Sequence, residues 1–100
     1  MKIVQVVPRH DSDQRLKSLL KQTERDLRGK GTTLIRKAEG RWVHAKYPGW
    51  IRWSETKGGI LVAEIQSRAE DSDWKLLTAF IGYLDRHLGH AIESISITYR

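Results

Sequence analysis

The chain contains no cysteine, only two prolines, one methionine and one phenylalanine. The missing thiols exclude a disulfide framework, a zinc–thiolate site and a cysteine nucleophile. No stretch approaches the roughly 18 apolar residues that a membrane span requires. Residues 1–11 hold a short apolar run that stops at Pro8 and charge, without the apolar segment and small-residue cleavage site of a secretory signal. A cytoplasmic domain with no membrane partner is the expectation. Nucleotide and hydrolase signatures are missing too: there is no G-x-S-x-G, no P-loop and no G-x-G-x-x-G. The run Gly29-Lys30-Gly31-Thr32 follows an expected helix, whereas a P-loop precedes one. No cofactor is expected.

What remains is ordinary in bulk and uneven in charge. One hundred residues suffice for one core and are too few for two, so a single domain spanning 1–100 is expected. Four Trp, three Tyr and 39% hydrophobic residues argue for a folded chain despite 30% charged residues. The net charge is +6. Residues 1–54 carry thirteen Lys/Arg against five Asp/Glu, a balance of +8, and residues 55–100 carry five against seven, a balance of −2. The basic half is a candidate surface for an anionic partner; the competing explanation is solubility.

The periodicities predict the order β-α-β-β-β-β-α-β. Residues 2–7 read as a short strand in which Ile3, Val4, Val6 and Val7 are β-branched and Pro8 stops the ladder. Residues 12–28 read as a helix with Leu16, Leu19, Leu20 and Leu27 on one stripe, a cap from Asp11, Ser12 or Asp13, and a stop at Gly29. Strands are expected over 32–37, 41–47, 50–53 and 60–66, with turns at Ala38-Glu39-Gly40, Pro48-Gly49 and Gly58-Gly59. The density of apolar residues in 60–66 places that strand centrally. Residues 72–88 form a second helix with Trp74, Leu77, Ile81, Leu84 and Leu88 on its stripe, broadened by Leu76 and Phe80. Glu70, Asp71 and Asp73 suit its positive end, and Gly82 inside it would let it lie close to the sheet. Ile95, Ile97 and Tyr99 alternate with polar residues in a last strand. The implied fold class is α+β: an antiparallel sheet of about four to six strands with two helices on one face. The core, strands set between two helices, resembles the α-β-β-β-α order of double-stranded-RNA-binding domains in topology alone. Where that family opens its second helix with a basic cluster, this chain has Glu70-Asp71-Ser72-Asp73, which argues against the same docking mode.

The best functional candidate lies between residues 25 and 53, where cations alternate with aromatics. Cations neutralise phosphates and release counterions, and exposed aromatics stack on bases. The expected nucleic-acid-binding set is Arg28, Lys30, Arg36, Lys37, Arg41, Trp42, Lys46, Trp50 and Arg52. Strand alternation puts Trp42, His44 and Lys46 on one face, and Trp50 with Arg52 on a face of the next strand. If those faces coincide and meet solvent, the sheet offers a basic–aromatic platform to RNA or DNA; buried tryptophans filling the core are the competing outcome. A non-enzymatic binding domain is therefore the leading expectation. The alternatives are a protein-interaction module or homodimer using the uncovered sheet face with Trp42 and Trp50, and a small ribonuclease-like enzyme built on His44, Arg52 and Glu64. A metal site at His87 and His90 is not expected, because Gly89 interrupts the helix between them and no matched ligand set completes it.

Overall fold

The computed structural model describes residues 1–69 and 72–100. Its elements run β1 (Lys2–Pro8), α1 (Leu16–Leu27), β2 (Leu34–Ala38), β3 (Arg41–His44), β4 (Trp50–Glu55), β5 (Leu61–Gln66), α2 (Ser72–Leu88), a 3-10 turn (Gly89–Ala91) and β6 (Ile92–Tyr99). All six strands join one antiparallel sheet in the order β2-β3-β4-β5-β1-β6. The short connections of residues 34–66 fold as a meander. β1 is inserted between β5 and β6, so the N-terminal strand is internal and only β2 and β6 are edges.

Both helices cover the same face. Registered neighbours share a face of an antiparallel sheet, and one row reads Val4, Ala63, Trp53 across β1, β5 and β4, all buried. Val6 with Leu61, and Ile65 with Ile51 and Trp42, extend the row along and across the sheet. Leu16 and Leu20 of α1 and Leu76, Leu77, Phe80, Tyr83, Leu84 and Leu88 of α2 close over them. Trp42 is the hub. Its ring meets Trp53 at 6.1 Å, Phe80 at 5.8 Å and Tyr83 at 4.9 Å between centroids, each edge-on, the geometry the aromatic quadrupole favours.

Several local readings need correction. α1 starts at Leu16 with Arg15 as N-cap residue, so Asp11, Ser12 and Asp13 lie in the preceding loop and cap nothing; the Ser12 hydroxyl donates to the Gln14 carbonyl instead. The cap comes from a distant strand. Glu55, with its side chain turned inward, accepts the Lys17 N–H at 2.8 Å and the Arg15 Nε–H at 2.5 Å, a carboxylate at the positive helix end. Trp74 is about half exposed rather than buried. The buried stripe is centred near Phe80, and at about 100° per residue Trp74 lies roughly 120° of arc away from it. Gly82 does not serve close packing on the sheet: a Cβ there would meet only Arg86 Nη1, at 3.5 Å. Glu70 and Asp71 lie outside the described residues, while Asp73 in the first turn of α2 binds Lys2 of β1 at 2.8 Å.

Two glycines are demanded by the sheet. Gly49 has φ +116°, and a Cβ there would fall 2.2 Å from the Gln66 carbonyl oxygen. Gly40 has φ +72°, and its Cβ would lie 2.5 Å from the Trp53 carbonyl oxygen. At both turns the backbone runs so close to the next strand that a side chain has no room. No helix among the described residues is long and apolar enough to cross a membrane.

Candidate nucleic-acid interface

The sheet sorts the expected residues by face. Trp42 is 2% exposed, on the helix-covered side, where its indole N–H donates to Glu24 Oε1 of α1 at 2.5 Å. It cannot stack on a base. His44 shares its parity and also faces the helices, its Cα partnered with that of buried Leu34. The error is one of direction: alternation correctly groups Trp42 with His44, but the group points inward, because a domain of this size needs the volume of its tryptophans.

Arg41, Trp50 and Arg52 occupy the opposite, open face. Arg41 and Arg52 are direct Cα partners across β3 and β4, and both are exposed. Trp50, two residues before Arg52, is half-buried, and the Arg52 guanidinium sits over its ring at 4.8 Å from the centroid, a cation–π contact. On its other side Arg52 is registered with Glu64, and Glu64 with Ile3. Among the described residues neither arginine has a carboxylate within ion-pair distance. Like charges directly opposite each other in a sheet are destabilising, so this pair costs the isolated fold something.

The remaining cations are dispersed. Lys37 is exposed at the irregular pairing of β2 with β3, Lys46 in the β3–β4 connection, and Arg28 with Lys30 between α1 and β2. Arg36 turns to the helix side, its Nε 3.6 Å from Glu24 Oε2. The Lys17 and Lys21 ammonium groups are drawn to Glu39, whose carboxyl they hold below the usual carboxylate range, chiefly through the Lys21 hydrogen bond. The ribonuclease grouping is split across the sheet, with His44 on the covered face and Arg52 and Glu64 on the open one. His87 and His90 border different depressions, and the described residues hold no cluster of three or more metal-ligating side chains.

Two clefts on the helix side were not anticipated. One, about 560 Å³, lies where the end of α1, β2 and α2 meet. Trp42, Leu27, Leu34 and Tyr83 give it apolar walls, and Glu24, Arg28 and Arg36 give it charge. Burial, followed by the neighbouring Glu24 carboxylate, pushes the Tyr83 hydroxyl up to about 12. The second, about 370 Å³, shares Thr32, Leu34 and Tyr83 with the first and runs along the exposed side of α2. A sequence signal for it existed: Lys75, Thr78, Gly82 and Arg86 are spaced three, four and four, a polar helical stripe beside the apolar one. Comparison with family models, curated proteins and solved structures finds no match to this chain.

Proposed function

We propose that this domain binds nucleic acid without catalysing a reaction, through the open face of its sheet. The observation that carries the proposal is the registered pair Arg41 and Arg52 beside Trp50. Two arginines registered across neighbouring strands are relieved by a phosphate bound by both, and arginine's planar fork suits phosphate oxygens. The partly exposed Trp50 ring supplies a stacking surface once the Arg52 guanidinium that covers it turns to a phosphate, a contribution of about 1–3 kcal/mol per base where such stacking forms. Lys37 and Lys46 flank the region as long-range attraction. With only a few fixed donors and one ring, recognition would favour the backbone over base sequence.

Anisotropy titrations of labelled single- and double-stranded RNA and DNA at two salt concentrations test this. Binding should weaken steeply with salt, and the Arg41→Ala, Arg52→Ala double variant should lower the salt slope by about one or two. Glu64→Gln should tighten binding by removing the acid next to Arg52. No binding at low salt, with a salt-insensitive dimer seen by light scattering, would instead favour the open face as a protein interface. Exposed Ile35 and its partner Val43 at the β2 edge would then be the first residues to change.

A further inference from the structure

The cleft along α2 is lined by hydrogen-bond donors and cations. Lys75 and Arg86 come from α2, His44 from β3 and Thr33 from the approach to β2. No Asp or Glu lines it among the described residues. Charges of one sign along a concave, partly apolar wall focus the field into the cleft. At about 100° per residue, Lys75, Gly82 and Arg86 fall within roughly 40° of arc on α2, so both cations reach the same side. Gly82 lies between them in an interior helical position where packing does not require glycine, and its missing side chain keeps the wall open.

His44 is held in a fixed orientation by its neighbours. Its Nδ1 accepts the Lys46 N–H at 3.0 Å and the Tyr47 N–H at 3.3 Å. The neutral ring therefore carries its proton on Nε2, which remains a donor. Stacking on Tyr47, at 4.3 Å between centroids and 20° between planes, fixes the imidazole plane, and Lys75 Nζ lies 5.7 Å from the other ring of that stack. Burial, followed by Lys46, holds His44 below its ordinary value, which keeps that neutral tautomer present at physiological pH.

We propose that this cleft binds a phosphoryl group, held by Arg86 and Lys75 with the Nε2–H of His44 and the hydroxyl of Thr33. Two cations and two neutral donors suit the charge and three oxygens of a phosphate monoester better than a singly charged, two-oxygen carboxylate. The larger cleft beyond Thr32 and Leu34, walled by Leu27 and Trp42, would take the organic part of the molecule. The site is separate from the open sheet face, and neither proposal depends on the other.

The test is an amide NMR titration of the full chain with sodium pyrophosphate at constant ionic strength, with sodium chloride as control. Saturable shifts confined to residues 32–34, 44–47 and 75–87 are expected. Arg86→Gln, a change at an exposed position, should weaken binding by about tenfold while leaving the unfolding midpoint in place; Lys75→Gln supplies a second, independent loss. A short oligonucleotide with and without a 5′-phosphate separates the sources. Phosphate-dependent shifts at the same amides assign the cleft to a nucleic-acid end, and shifts with pyrophosphate alone assign it to a small phosphorylated molecule. Shifts equal to those with chloride, shifts centred on Arg41 and Arg52, or binding unchanged in both variants would overturn the proposal.

Discussion

The two faces of the sheet are made from alternate residues of the same strands, yet they obey different rules. On the covered face of β4, Ile51 and Trp53 are buried, and the buried polar handle of Trp42 on the neighbouring strand is satisfied by Glu24. On the open face, Trp50 and Arg52 of the same strand are at least partly exposed, and Arg52 opposes another arginine. One face buries its aromatic side chains under the helices, even at the cost of a buried Trp53 indole N–H with no partner among the described residues; the other carries a like-charge pair that stability alone would disfavour. That difference locates the candidate interface more sharply than net charge does.

Substitutions can break the comparison. The largest effect is expected from Trp42→Ala, which should cost about 3–5 kcal/mol as a core cavity, with the loss of the indole hydrogen bond to Glu24. Trp50→Ala on the open face should cost far less, and comparable losses in urea unfolding would mean that the faces are not distinct. Next is Glu55→Ala, which removes the tertiary cap of α1 and should cost about 1–2 kcal/mol, whereas Ser12→Ala and Asp13→Ala should change stability little. Gly82→Ala should stabilise the helix by about 1 kcal/mol, raising the thermal midpoint by about 4–8 °C. A midpoint that falls would mean that Gly82 has a packing duty after all.

Two pH effects sharpen the account of the covered face. The folded Tyr83 hydroxyl, pushed up to about 12, lies above its ordinary 10.0, so the folded state retains a proton that the unfolded chain loses first. Its stabilising contribution is complete below pH 10 and falls away between 10 and 12; Tyr83→Phe should flatten that part of the stability–pH curve. The smallest effect is at Asp73, whose carboxyl the Lys2 hydrogen bond holds below its ordinary 3.8. Its contribution is present above that value and is lost as pH falls through the lower folded value. Lys2→Met should therefore reduce the acid dependence of unfolding.

The architecture was legible because period-two and period-3.6 patterns are written into consecutive residues. All eight main elements, their order and the helix-on-one-face layout follow from them, including the central place of β5. Direction was not legible. Nothing in the spacing of Trp42, His44 and Lys46 says which side of the sheet the helices cover, and that decision removes Trp42 from the surface. Long-range devices were equally hidden: Glu55 caps a helix 38 positions earlier in the chain, and Glu24 meets Trp42 across 18. Of the nine expected interface residues, Arg41, Trp50 and Arg52 are brought together on one face by register and strand alternation; the other cations are scattered because irregular connections and the irregular β2–β3 pairing impose no such alternation.

Trp50 emission gives the most direct test of the open-face proposal. Trp42 and Trp53 are buried, so Trp74→Phe leaves Trp50 as the sole partly exposed tryptophan. Titrating that variant with a short single-stranded oligonucleotide at low salt should quench its emission. The quench should be relieved by salt and should disappear in the Trp50→Phe, Trp74→Phe double variant. Binding that leaves the emission unchanged, or a quench that survives loss of Trp50, would contradict the claim that the open sheet face receives the nucleic acid.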